Sequence, residues 1–428
     1  MVKLTQSGEK ITALNFAEIE RRNSEICDKI DKKLGEGNDF LGWLDYESKL
    51  PESEITRIVE CAQRLRHDYE ALAIVGIGGS YLGARAAIDA LNGLFPKDDF
   101  KIVFLGNTLS STYTSQAIDY LKNKKFAINV ISKSGTTVEP SIAFRLLKDI
   151  LVAKYGESYL KSAVVATTDS QKGALKKEAD EAGYETFVIP DNIGGRFSVI
   201  TPVGLLPIAC AGIDIRDFIN GVKKGEKEYS VPDYKLNPAY MYGAKRYLLH
   251  QIGYPVEVFT TYEPQFASIN EWLKQLFAES EGKEGKGLFP TSVTLTTDLH
   301  SVGQFLQQGS PVLFETIIKT SEPIVDLIVE SDKKNLDGLN YLAGDKLSYI
   351  NDKAYEGTLK AHTKTGPTSA NIIEIEKMTP FNLGNLFYFF MRACAYSAYL
   401  LGVNPFNQPG VEIYKKNMFT LLGKFKKD

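Results

Sequence analysis

The sequence predicts an α/β fold of two domains, each a mainly parallel sheet flanked by helices. Three observations predict it. Short apolar runs rich in β-branched residues alternate with longer stretches of helical periodicity, the pattern of a parallel sheet covered on both faces. The chain has 428 residues, more than one hydrophobic core usually serves. Segments rich in glycine and hydroxyls, 76–83 and 132–137, fall where a predicted strand gives way to a helix, which is where open α/β sheets hold ligands.

The elements follow in order. Helical patterns cover 16–34 and 53–67, and the first seventy residues show no strand-like run of their own. Candidate strands come next at 72–75, 102–105, 127–131, 164–168 and 186–189, each followed by a loop and a periodic stretch. These five make a smaller domain over residues 70–215, with a boundary expected near Ala211-Gly212-Ile213-Asp214-Ile215. A second set of strands is expected at 256–260, 312–318 and 325–329, with helical patterns at 238–251 and 269–279. It predicts a larger α/β domain formed by residues 1–69 and 216–428. The run 381–401 approaches membrane-spanning length, but Asn382, Gly384, Asn385, Arg392 and Ser397 interrupt it. An Arg in mid-span is costly in lipid, so a buried core helix is expected and no membrane partner.

Composition narrows the function. A formal net charge of −3 argues against a polyanion-binding surface, so nucleic acid is not an expected partner. Cys27, Cys61, Cys210 and Cys394 are far apart and form no CxxC pair, which suggests neither a disulfide framework nor a zinc site. No metal and no other cofactor is expected. The start Met1-Val2-Lys3-Leu4-Thr5 has neither the basic opening nor the long apolar core of a secretory signal, and a cytoplasmic location is expected.

Several segments carry chemistry. Gly76-Ile77-Gly78-Gly79-Ser80-Tyr81 lets backbone approach a ligand, but a dinucleotide fingerprint would need a third glycine where Tyr81 stands. Ser132-Lys133-Ser134-Gly135-Thr136-Thr137 places hydroxyls and a cation at a helix start, whose N–H groups and dipole favour a phosphate monoester. A capped helix start would explain a lone Ser-Thr pair; four hydroxyls beside a Lys and a Gly go further. No Walker A pattern is present, so a nucleoside triphosphate is not indicated.

Gly194-Gly195-Arg196-Phe197-Ser198 sets a permanent cation behind two glycines, close enough to a ligand to stabilise an enediolate. Glu279 shares a helical face with Gln275, four residues earlier, and a partly desolvated carboxylate is a suitable base for carbonyl–hydroxyl isomerisation. Glu281 is the rival on another face. His300, one of four histidines, is a candidate for opening a sugar ring. Lys415 follows Gln408 in Phe406-Asn407-Gln408-Pro409-Gly410-Val411-Glu412-Ile413-Tyr414-Lys415, and only its place in that motif sets it apart from a surface Lys.

Residues 191–198 and 406–415 resemble the two signature segments of the glucose-6-phosphate isomerase family in its shorter bacterial form, and the resemblance covers most of the chain. The first half is similar to the sugar-isomerase domain shared with phosphosugar-binding regulators. The resemblance implies isomerisation of glucose 6-phosphate to fructose 6-phosphate through a cis-enediol. It implies that Ser132, Lys133, Ser134, Thr136 and Thr137 hold the phosphate and that Gly79, Ser80, Gly195, Gln275 and Gln408 line the pocket. Glu279 would move the proton, Arg196 would offset negative charge, and His300 and Lys415 would assist ring opening. It further implies a homodimer whose His reaches the site from the other subunit. The alternatives are a non-catalytic phosphosugar sensor, an NAD-dependent dehydrogenase, or an isomerase of a related phosphosugar.

Overall fold

The computed structural model describes residues 2–424. Its described strands are β1 (Lys3–Ser7), β2 (Ala71–Val75), β3 (Lys101–Leu105), β4 (Phe126–Ile131), β5 (Val164–Thr168), β6 (Glu185–Val188), β7 (Val256–Thr261), β8 (Phe289–Thr294), β9 (Leu313–Glu322) and β10 (Ala370–Lys377). They form two sheets. The first, in the order β3-β2-β4-β5-β6, is parallel throughout, and the second, β1-β10-β9-β7-β8, is parallel except for β1. The α/β class with mainly parallel sheets is therefore the observed one.

Three expectations about strands need correction. Residues 3–7 do form a strand, which adds antiparallel to β10 with Lys3 opposite Glu374. Residues 325–329 do not join a sheet. Their backbone pairs locally with 344–347, with a lone bridge from Ile328 to Lys346, and Val325, Leu327 and Ile328 remain exposed. β8, which contains Pro290, and β10 were not anticipated; β8 lies at a sheet edge, the place a proline tolerates.

The core joins both sheets. One apolar cluster takes side chains from β2, β4 and β5 and from the Pro380–Leu401 helix, and it reaches Phe259, Ile318, Ile373 and Ile375 of the second sheet. Val258, Ile317 and Ile372 face the other way, into a smaller cluster, as the two-residue alternation of a strand requires. The Pro380–Leu401 helix starts with Pro at its first position and a Thr379 cap, ends at left-handed Gly402, and is buried from Leu383 to Leu400. Its Arg392 is satisfied by Asp31 at 2.7 Å and the Tyr229 carbonyl at 2.8 Å. No helix among the described residues is long and apolar enough to cross a membrane.

Candidate active site

The centre of the site is Arg196, on the 3-10 turn Gly195–Ile200. Its side chain is almost wholly buried, so each N–H needs an acceptor. Nε donates to Ser280 Oγ at 2.8 Å, and Nη1 donates to Gln408 Oε1 at 2.8 Å and Glu279 Oε2 at 3.2 Å. Nη2 donates to the carbonyls of Pro405 and, at 3.4 Å, Asn407. Burial pulls the guanidinium below the ordinary Arg pKa, and the Glu279 carboxylate opposes that. One guanidinium thus gathers three stretches of chain that are far apart in sequence.

Aromatic packing explains how the stretches meet. Phe197 stacks on Trp43 with ring centroids 5.1 Å apart and meets Phe406 edge-on at 5.3 Å. The indole Nε1 of Trp272 donates to the Arg196 carbonyl at 3.3 Å, fixing the same turn to the Ala267–Glu281 helix.

Glu279 stands in the last turn of that helix with its side chain 31% exposed. One oxygen faces Arg196, and the other accepts from Gln275 Nε2 at 3.2 Å. The carboxylate is held from behind and open in front. Gln275 Oε1 is buried with no hydrogen-bond partner among the described residues, an unsatisfied acceptor beside the carboxylate. Glu281 is engaged elsewhere: both its oxygens accept from Arg246, one of them also from Ser397, and Arg246 donates to Glu257 at 2.7 Å as well. That pairing is fully buried and has no opening to a substrate.

The glycine turn after β2 meets Arg196 through its backbone. A Cβ on Gly79 would sit 2.0 Å from the Gly195 carbonyl oxygen and 2.2 Å from its carbon. Gly78, at φ 59°, lies under Gln275, whose Nε2 would be 2.9 Å from a Cβ there. Ser80 closes the same short turn.

The hydroxyl loop leads from β4 into the Val138–Tyr155 helix. The Gly135 N–H donates to Ser132 Oγ at 3.0 Å, and the Thr136 N–H donates to Ser134 Oγ at 3.2 Å. Gly135 takes a left-handed φ of 71°, where its α-carbon faces the Leu175 backbone too closely for a side chain. Thr137 stands at the N-cap but its side chain caps nothing. Its hydroxyl and the first-turn amides, left unused by the cap, form the kind of helix start that favours an anion. Lys133 pairs with Asp191 at 2.7 Å on an exposed surface.

The other two sequence candidates lie outside the Arg196 hydrogen-bond network. His300 ends an exposed 3-10 turn, and Lys415 pairs with Glu412 at 2.8 Å on the Gly410–Leu421 helix, which buries no residue. Sequence reasoning had assigned no role to Ser280, Lys283 or the carbonyls of Pro405 and Asn407. Carbonyls carry no sequence signal, and Ser280 was visible only as the neighbour of Glu279.

Residues 65–427 match the family model for phosphoglucose isomerase. A glucose-6-phosphate isomerase of Bacillus cereus (strain AH187) is 51% identical over 402 residues, covering 92% of this chain and 89% of that protein. One from Staphylococcus saprophyticus is 52% identical over 401 residues, covering 93% and 90%. Among solved structures, a hypothetical protein from Thermus thermophilus superposes with a TM-score of 0.86 at 26% identity, covering 99% of this chain and 100% of that one. A glucose-6-phosphate isomerase from Chlamydia trachomatis shares the fold, with a TM-score of 0.77 at 20% identity, covering 95% and 79%.

Proposed function

The chain belongs to the phosphoglucose isomerase family, and on that premise we propose that it interconverts glucose 6-phosphate and fructose 6-phosphate, with Glu279 as the base. The observation that carries the reading is the Glu279 carboxylate, held by Arg196 and Gln275 and accessible on its remaining side. With the aldose open, Glu279 takes the proton from C2 and the carbonyl oxygen at C1 gains the electron pair, giving a cis-enediolate, whose O1 is protonated at the expense of the C2 hydroxyl. Returning the proton to C1 gives the ketose. Arg196 offsets the charge that builds on oxygen, in a buried setting where such an interaction is strong.

The phosphate is assigned to Ser132, Ser134, Thr136, Thr137 and Lys133, with Lys133 exchanging Asp191 for the ligand. Gly79, Ser80, Gly195, Gln275 and Gln408 line the sugar. His300 and Lys415 are assigned to ring opening, His300 acting across a homodimer in the cytoplasm. An exposed apolar face formed by Ile324, Val325, Leu327, Ile328 and Leu347 supports the dimer. It borders a cavity of about 540 Å³ whose lining includes Thr296, four residues from His300. A smaller domain over 70–215, set within a larger one made of 1–69 and 216–428, fits the two-sheet arrangement.

The test is conversion of fructose 6-phosphate to glucose 6-phosphate by the purified protein with EDTA present and no nucleotide, beside Glu279→Gln. Turnover should fall by roughly 10²- to 10⁴-fold in the variant, with calorimetric binding of fructose 6-phosphate retained. Lost binding with unchanged turnover per bound substrate would remove Glu279 from the role of base.

A further inference from the structure

Lys283 lies just beyond the Ala267–Glu281 helix and is half-buried. Its Nζ donates to the Ser280 carbonyl at 3.1 Å and to the Asn404 carbonyl. Each contact leads to Arg196. Ser280 Oγ accepts from Arg196 Nε, while the segment that starts at Asn404 supplies the carbonyls of Pro405 and Asn407 and the side chain of Gln408. Asn404 is itself ordered, its Oδ1 accepting from the Phe406 N–H at 2.9 Å. A single ammonium therefore joins the end of the helix that carries Glu279 to the loop that holds the guanidinium.

We propose that Lys283 is a positioning residue for the isomerisation: it clamps the 404–408 loop to the end of the Glu279 helix, so that Arg196 and Glu279 keep one relative geometry. The proposal rests on the roles given above to those two residues. Misplacement of catalytic groups by about 1 Å can cost a hundredfold in rate, so a clamp at this point bears on turnover more than on binding.

The clamp has its own pH dependence. The groups that act on Lys283 are Arg196, Glu279, Cys394 and Glu36; burial first, then Arg196, push its ammonium down to about 8. The charged clamp is thus present below that pH and is lost as pH rises through it. An Arg at the position would stay charged.

The experiment uses the full-length chain with Lys283→Met, Lys283→Arg and Glu279→Gln. It measures kcat and KM from pH 6 to 10 and amide exchange over residues 404–412. Lys283→Met is expected to lower kcat by about 10- to 100-fold with KM within about threefold, and to speed exchange in that segment. Lys283→Arg is expected to restore most of kcat and to move the alkaline limb of its profile up by about a pH unit or more. Wild-type kcat and exchange in Lys283→Met would overturn the proposal, and so would an unmoved alkaline limb in Lys283→Arg. Should the Met variant fail to fold, the Arg profile decides alone. If Glu279→Gln keeps full turnover, the assignment of the base fails, while the exchange result still reports whether Lys283 clamps the loop.

Discussion

Replacing Gly79 with alanine puts a methyl carbon 2.0 Å from the Gly195 carbonyl oxygen, 2.2 Å from its carbon and 2.9 Å from the Arg196 nitrogen. All three are backbone atoms, so no side-chain rotation relieves the contact. The two turns must part by about 1.4 Å to bring the 2.0 Å approach to the 3.4 Å at which ordinary contact begins. Arg196 rides on one of those turns, and a shift of that size at a catalytic cation costs on the order of a hundredfold in kcat, or about 2.7 kcal/mol of barrier. Overpacking should also lower the unfolding free energy by about 1–3 kcal/mol. Steady-state kinetics and urea denaturation of Gly79→Ala measure the two effects. A variant with kcat within threefold of wild type and unchanged stability would show that the close approach of the turns does not set the Arg196 geometry.

Two other outcomes are expected. On the proposed homodimer with His300 shared between subunits, mixing refolded His300→Ala and Glu279→Gln chains should recover about a quarter of wild-type activity, because half the dimers would be mixed, each with one intact site; no recovery would place His300 in the site of its own chain. Glu47 is fully buried, neither of its oxygens has a partner among the described residues, and burial followed by Glu226 raises its pKa well above the ordinary value. A raised carboxyl contributes stability while protonated, and loses it as pH rises through the folded value. Glu47→Gln should therefore stabilise the protein at pH 8 and do so much less at pH 5. Equal changes at both pH values would refute this.

The parallel sheets were legible because their strands are short apolar runs between helical stretches. The run 164–168 coincides with β5 and the helical pattern 238–251 with the observed Pro238–Gln251 helix. Apolar content reports burial, however, and not pairing. Lys-Leu-Thr-Gln-Ser forms β1 with mostly exposed side chains because β10 offers it a free edge. The apolar residues of 325–329 have no sheet edge to meet. The site divides in the same way. Glycines and charged groups announce themselves, as Gly79, Arg196 and Glu279 do, whereas Pro405 and Asn407 act through main-chain oxygens that any residue would carry. The isolation of His300 and Lys415 from Arg196 within one chain was equally beyond a linear reading.

The pairing of β1 with β10 also bears on how the chain is made. β2 to β6 lie between residues 71 and 188, so the first sheet has all its strands before any of β7 to β10 is made. The second sheet must wait, because Lys3 finds its place opposite Glu374, in a strand made only after all of the first sheet. Until then β1 is an unpaired edge, and closing so long a loop is slow. β1 is made before the first sheet yet locked after it, so truncation after residue 369 should leave the first sheet able to assemble and β1 without its neighbour.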